Sequence, residues 1–297
     1  MTEPWQHFYQ SQRLRLSYWV WGTAEKPPLI FVHGFRDHSR SWDRYAEAFA
    51  DDYRVIAPDL RGHGDSEWAK GSSYGLLDFV PDILSLIDLV GGRATVVAHS
   101  LGGAATLIAA GTYPDRFERI VAVEGAGAMM HEPSAKTIDG EWLHKWVDRA
   151  RGNERREPRV YPTFEACIER VMEANKRLTR PMAEHLARWA ARPIDGGYVW
   201  KYDPMALNRP PTEIRHSEIM GVWDRIECPV LHLIGAESAL GRGLFHGEPV
   251  ESFFRDARTE TLPDAAHWLH HDQFDRTLAL MRDFLLPAPP ARTANEE

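Results

Sequence analysis

The first 125 residues alternate short apolar runs with helical patterns, and this alternation constrains the fold more than any other feature. The apolar runs are continuous and rich in β-branched residues, as in strands buried on both faces. They are residues 29–32, 55–57, 94–98 and 120–123. Between them, apolar residues recur every three or four positions at about 39–50, 76–90 and 101–113, which predicts helices. The sequence therefore predicts an α/β fold with a mostly parallel twisted sheet flanked by helices.

The alternation stops between about residues 128 and 222, where amphipathic helices rich in Arg, Glu and Trp take its place. It resumes with apolar runs at 230–234 and 259–262 and a closing helix at about 273–285. We therefore predict a core domain formed by 1–127 and 223–286, with a helical cap domain inserted at 128–222. The Pro-containing tail 287–297 is predicted to be disordered.

Charge and composition exclude some classes of function. The formal net charge of -8 supplies no basic surface for a polyanion, so we expect no nucleic-acid partner. No apolar run approaches the roughly 18 residues of a membrane span. The two cysteines, Cys167 and Cys228, have no disulfide or metal-site spacing, which favours a reducing, cytoplasmic location. The oligomeric state is left open.

The segment Ala98-His99-Ser100-Leu101-Gly102-Gly103 follows an apolar run directly and opens a helix of small residues. This context is typical of a nucleophile elbow, in which a strained turn lifts a serine hydroxyl above the strand ends. Small residues are needed two positions to either side, and Ala98 replaces the usual glycine. The sequence predicts Ser100 as a nucleophile, and the alternative is a serine that only caps the helix.

A serine nucleophile needs a histidine to take its proton. His267 follows the last predicted strand, which predicts a place at the carboxyl end of the sheet beside Ser100. His270 and His271 are close in sequence, but the spacing of the three histidines fits no common zinc pattern. We therefore expect no metal, and surface or capping roles for His270 and His271.

Four motifs, in this order, resemble those of the α/β-hydrolase superfamily with a helical cap. They are His33-Gly34-Phe35, the segment 59–66 (DLRGHGDS), the elbow at Ser100 and the loop at His267. The cap segment from Tyr161 to Pro204 is similar to that of the serine hydrolase-like proteins. The resemblance implies an oxyanion hole formed by the backbone amides of Phe35 and Leu101.

The third member of a catalytic triad, the acid, is ambiguous in this chain. The family pattern Gly-x-x-Asp would start at Gly235, but Ser238 stands where the aspartate is expected and Glu237 precedes it. Glu124 ends the apolar run before the cap, a position that some family members use. A buried glutamate needs a partner such as an imidazolium, so we favour Glu124 and keep Glu237 as the alternative.

These residues predict a serine hydrolase that cleaves an ester-type bond through an acyl-enzyme and needs no cofactor. The expected partner is a small-molecule acyl substrate with an apolar part. Thioester, lactone or carbon–carbon bond cleavage by the same triad stays open, as does a receptor-like protein with little turnover.

Overall fold

The computed structural model describes residues 3–71, 74–126, 139–207, 210, 216–239, 244–245 and 247–286. The strands in these residues are numbered in chain order: β1 Trp5–Ser11, β2 Leu14–Trp21, β3 Pro28–Val32, β4 Arg54–Pro58, β5 Ala94–His99, β6 Phe117–Val123, β7 Ala191–Ile194, β8 Gly197–Trp200, β9 Val230–Gly235, β10 Leu244–Phe245, β11 Glu248–Pro249 and β12 Ala257–Leu262. The α-helices are α1 Asp43–Phe49, α2 Phe79–Leu89, α3 Ser100–Thr112, α4 Gly140–Glu154, α5 Phe164–Ala174, α6 Arg180–Ala190, α7 His216–Trp223, α8 Leu269–Asp272 and α9 Phe274–Leu285.

Within the described residues, eight strands form one sheet in the order β1-β2-β4-β3-β5-β6-β9-β12. Strand β2 pairs antiparallel with β1 and β4, and every other neighbouring pair in this sheet is parallel. The predicted fold class, a mostly parallel sheet flanked by helices, is confirmed. Because β5, β6, β9 and β12 run parallel, their carboxyl ends meet at one edge of the sheet.

The central strands are buried because helices cover both faces of the sheet. All six residues of β5 are buried, as are all six of β9. One core layer packs α2, α3 and α7 against the sheet, and the other packs α1 and α9 around Phe31 and Trp42. The two layers hold the strand ends in fixed positions.

A third cluster of buried residues lies between β6 and β9 in the chain and packs α5 against α6. A short antiparallel hairpin, β7 with β8, follows α6, although no strand was predicted here. Helix α7 lies in the predicted cap range 128–222 except for its last residue, Trp223. Its residue Ile219 nevertheless packs into the core layer, where the helix contacts α3. Glycine at 111 permits that contact, since a Cβ there would lie 2.1 Å from the carbonyl oxygen of Val222.

The first eleven residues of the predicted cap, 128–138, and the predicted disordered tail, 287–297, lie outside the described residues. A 3-10 turn, Val250–Phe253, precedes β12. Among the described helices, none has the length and apolar character that crossing a bilayer requires.

Candidate active site

The turn between β5 and α3 has the geometry of a nucleophile elbow. Ser100 begins α3 with a φ of +48°, a left-handed conformation that is strained for a residue with a side chain. Close packing holds the turn, because a Cβ on Gly102 would lie 2.4 Å from the carbonyl oxygen of His33. A Cβ on Gly103 would lie 2.5 Å from the Cα of Gly125. The small residues therefore let the helix start directly above the strand ends.

The structure brings Ser100 and His267 together, although 167 positions separate them in the chain. The Oγ of Ser100 lies 3.0 Å from the Nε2 of His267, within hydrogen-bonding distance. His267 is on the loop between β12 and α8, called the catalytic loop, at the same edge of the sheet as the elbow. An imidazole so placed can take the hydroxyl proton when the oxygen attacks a carbonyl carbon.

Glu124 lies on the other side of the imidazole. Its Oε2 is 3.5 Å from the Nδ1 of His267, and its side chain is only 1% exposed. Two donors hold the carboxylate: the backbone amide of Gly235 donates to Oε1 at 2.8 Å, and the Ser238 hydroxyl donates to Oε2 at 2.7 Å. The backbone of Glu124 is also left-handed, with a φ of +54°. A buried, oriented carboxylate at this place can stabilise an imidazolium.

Glu237, the alternative acid, is not brought to the imidazole. Its carboxylate forms an ion pair with Arg177, and its side chain is about half exposed. The backbone of Glu237 is held by a hydrogen bond to the carbonyl of Ala265. The geometry therefore assembles Ser100, His267 and Glu124, without Glu237.

The loop after β3 lies beside the nucleophile. A Cβ on Gly34 would be 2.6 Å from the Nδ1 of His99 and 3.2 Å from the Cβ of Ser100, so a larger residue here would force its neighbours to shift. Phe35 follows at the mouth of a cavity, and Leu101 lies in the first turn of α3, where backbone amides have no partner within the helix. Both amides are thus in segments that border Ser100.

A cavity of about 520 Å³ opens above the imidazole. Its walls combine residues of the catalytic loop with largely apolar residues from α5, α6 and β8, including Val171, Leu186 and Trp200. Arg36 lies at its rim with its guanidinium 5.2 Å from the ring centre of Phe35 and 5.1 Å from that of Tyr202. The cavity can hold a small molecule with an apolar part.

Several histidines surround the imidazole of His267. The expectation of a surface or capping role for His270 is wrong, because its side chain is fully buried and stacks on Trp42 with ring centres 4.7 Å apart. His99 is buried as well, and its Nε2–H donates to the carbonyl oxygen of His267 at 2.9 Å. Burial lowers the pKa of His99 and His270 well below the ordinary value and lowers that of His271 to about 3.

Sequence reasoning missed two residues that hold the site. The sequence pattern marks Ser238 only as the residue in place of an expected acid, whereas in the structure its hydroxyl donates a hydrogen bond to Glu124. Asp272 accepts a hydrogen bond from the backbone amide of Ala266 at 2.9 Å and another from the Asn175 side chain at 2.8 Å. No local pattern marks Asp272, since its partners lie on the catalytic loop and at the end of α5.

The chain belongs to the alpha/beta hydrolase family, whose model matches residues 29–280. The match starts in β3 and includes the other parallel strands, the elbow and the loop that carries His267. The chain is therefore a hydrolase of the α/β class.

Two relatives and one solved structure illustrate the similarity. The chain is 25% identical to the serine hydrolase-like protein of Danio rerio over 293 residues, covering 93% of this chain and 87% of that one. It is 27% identical to a probable serine hydrolase of Drosophila melanogaster over 222 residues, which are 72% of this chain and 66% of that one. The structure of a hypothetical protein from Pseudomonas aeruginosa PAO1 superposes with a TM-score of 0.82 at 25% identity, covering 94% and 97% of the two chains.

Proposed function

We propose that the chain is a serine hydrolase that cleaves carboxylic esters through an acyl-enzyme on Ser100. His267 is the general base and Glu124 is the triad acid. The observation that carries the proposal is the 3.0 Å contact between the Ser100 hydroxyl and the Nε2 of His267. The names of the two serine hydrolase relatives support the same class of reaction.

In acylation, the Oγ of Ser100 forms a bond to the ester carbonyl carbon while its proton passes to the Nε2 of His267. The carbonyl electrons move to oxygen, and the amides of Phe35 and Leu101 donate hydrogen bonds to that oxyanion. Each such donor is worth about 3 kcal/mol in the transition state. The intermediate then expels the alkoxide, which takes the proton from His267. Water repeats the two steps on the acyl-enzyme and releases the acid.

The acid holds the imidazole in one tautomer. A proton on the Nδ1 of His267 faces Glu124, which leaves the lone pair of Nε2 toward the Ser100 hydroxyl. The buried carboxylate also stabilises the imidazolium that forms during the reaction. Glu237 cannot substitute for it, because its carboxylate is on the surface beside Arg177.

The largely apolar cavity above the imidazole supports an ester with an apolar acyl or alcohol part. Chromatographic product analysis with matched ester, thioester, lactone and β-diketone substrates tests the bond type. A higher kcat/KM on a substrate other than the ester would overturn the ester assignment and leave the triad assignment standing.

Labelling with a fluorophosphonate probe tests the nucleophile. We expect one adduct per chain on Ser100, located by mass spectrometry, and none in Ser100→Ala. Folded wild-type protein that takes up no probe would contradict the proposal and favour a ligand-binding role with little turnover.

A p-nitrophenyl ester series of increasing chain length tests the acid. Glu124→Gln should lower kcat by about 10³- to 10⁴-fold, because it removes the negative charge and replaces one of the two acceptor oxygens with an NH2 donor. The matched control Glu237→Gln should stay within about twofold of wild type, since an exposed ion pair contributes little. The reverse pattern would show that Glu124 is not the acid.

A further inference from the structure

Three side chains from separate parts of the chain converge beneath the catalytic loop. Asp37 follows β3, His99 ends β5 and His270 lies in α8. One carboxylate oxygen and one ring nitrogen from each histidine lie within 4.8 Å of one another. His99 and His270 are 1% and 0% exposed. These three residues are here named the Asp-His-His cluster.

The polar atoms of the cluster lack partners within the described part of the chain. These atoms are Oδ2 of Asp37, Nδ1 of His99 and both ring nitrogens of His270. A buried polar atom without a hydrogen bond costs about 1–3 kcal/mol, so several at one point indicate a ligand that they share. No pair within the cluster forms a direct hydrogen bond, and the spacing instead suits one atom held between the three.

The hydrogen bond of His99 shows which of its nitrogens carries the proton. Its Nε2 lies 2.9 Å from the carbonyl oxygen of His267, and a carbonyl oxygen can only accept. The proton of the neutral ring is therefore on Nε2, and Nδ1 presents a lone pair. No side chain of residue 34 covers this nitrogen, because the residue is glycine. A Cβ on Gly34 would lie 2.6 Å from the Nδ1 of His99.

Packing and a backbone hydrogen bond fix the orientation of His270. Its ring stacks on Trp42, and the Tyr45 hydroxyl donates to its backbone oxygen at 2.7 Å. Neither ring nitrogen has a hydrogen-bond partner among the described residues, and a neutral imidazole carries a lone pair on one of the two. Preorganised donors of this kind lose little entropy when they bind an ion.

Two imidazoles and one carboxylate are a donor set for a divalent transition metal, whereas Mg²⁺ and Ca²⁺ prefer oxygen alone. A tetrahedral zinc site with bonds near 2.1 Å places its donors about 3.4 Å apart, so modest side-chain rotations suffice. A bridging water could also fill the space. A cation fits better because one ion can accept a lone pair from all three groups at once, whereas a water molecule has only two protons to donate. Asp37 also lines the large cavity, which provides an entry path.

We propose that the Asp-His-His cluster binds one divalent transition-metal ion, with Zn²⁺ as the representative ion. The site adjoins the catalytic loop through the bond from His99 to the His267 carbonyl, but it does not include Ser100. The proposal is independent of the ester-cleaving function, since binding is measured without any substrate.

Titration calorimetry with ZnCl₂ on tag-free, EDTA-dialysed protein tests the proposal. We expect one Zn²⁺ per chain in the wild type and about tenfold or greater weakening in Asp37→Asn and in His270→Leu. CoCl₂ should give the visible bands of four-coordinate cobalt in the wild type, and these bands should be absent from both variants.

His232→Leu is the matched control, because His232 is also buried with an unpartnered Nε2 but lies outside the cluster. It should bind Zn²⁺ as the wild type does. Circular dichroism checks that each variant is folded. If His270→Leu does not fold, Asp37→Asn still tests the proposal. Wild-type protein that binds no Zn²⁺, or equal affinity in the wild type and Asp37→Asn, would overturn the proposal in favour of a water site.

Discussion

At the scale of single residues, the triad acid depends on a serine. Glu124 has a left-handed backbone and a buried carboxylate, both of which cost free energy unless the surroundings compensate. Ser238 and the amide of Gly235 donate the compensating hydrogen bonds. Ser238 stands where the family pattern expects an aspartate, so this chain keeps a polar group there to orient a carboxylate on the neighbouring strand.

Ser238→Ala should therefore lower kcat on a p-nitrophenyl ester by about fivefold to thirtyfold, with little change in KM. The reason is the loss of one hydrogen bond to a charged group, about 1–2 kcal/mol. Ser252→Ala is the control, because that hydroxyl donates to the carbonyl of Pro249 on the surface.

A double variant extends this prediction. Ser238→Asp should restore part of the activity lost in Glu124→Gln, because the new carboxylate would be next to the position of the original one. Steady-state kinetics of the single and double variants measure the effect. A double variant no faster than Glu124→Gln would show that position 238 cannot supply the acid.

At the scale of elements, the loop between β12 and α8 presents His267 and is held from three sides. His99 at the end of β5 donates to the His267 carbonyl. Asp272 at the end of α8 accepts from the amide of Ala266, and Asn175 at the end of α5 donates to Asp272. The position of the imidazole thus depends on β5, α8 and α5, which are distant from one another in the chain.

Asp272→Ala should lower kcat by about tenfold to a hundredfold, because a misplacement of about 1 Å at the imidazole suffices for such a loss. Asp275→Ala is the control, since this exposed residue is in the first turn of α9. Kinetics paired with thermal melting measure both effects. A loss of activity that merely follows a large fall in Tm would assign Asp272 to stability alone.

At the scale of the whole molecule, buried neutral histidines link stability to pH. Burial lowers the pKa of His33 and His232 to about 4 and that of His63 to about 3. The unfolded chain takes up protons near the ordinary histidine value, whereas the folded chain does not. Between about pH 6.5 and 4 the unfolded state therefore binds more protons, and stability falls as the pH falls.

His232→Leu isolates one such contribution away from the active site. Its ring packs on Phe254, and Glu251 is the charged group that partly offsets the effect of burial on its pKa. Relative to wild type, the variant should lose about 2 kcal/mol less stability between pH 7 and pH 5. Urea unfolding at the two pH values measures the difference. Equal losses in both proteins would contradict a lowered pKa for His232.

Much of the fold follows from the sequence because its signals are local. A buried parallel strand is a short apolar run, and an elbow is a strand followed by Ser100 and small residues, so neighbouring positions carry the information. The β7–β8 hairpin was missed because its two four-residue strands lie among amphipathic helices. The packing of α7 on α3 was missed because helical periodicity does not reveal which layer a helix covers.

By itself the sequence determined the sheet, the elbow and the position of His267 after the last strand. Only the tertiary structure decided between two glutamates, since pairing of β6 with β9 wraps the 235–238 turn around Glu124 and leaves Glu237 facing Arg177. Likewise, no spacing in the sequence predicts the Asp-His-His cluster, because its three members come from separate segments. Local patterns specify strands and turns, but contacts between distant residues exist only after the strands have been ordered in the sheet.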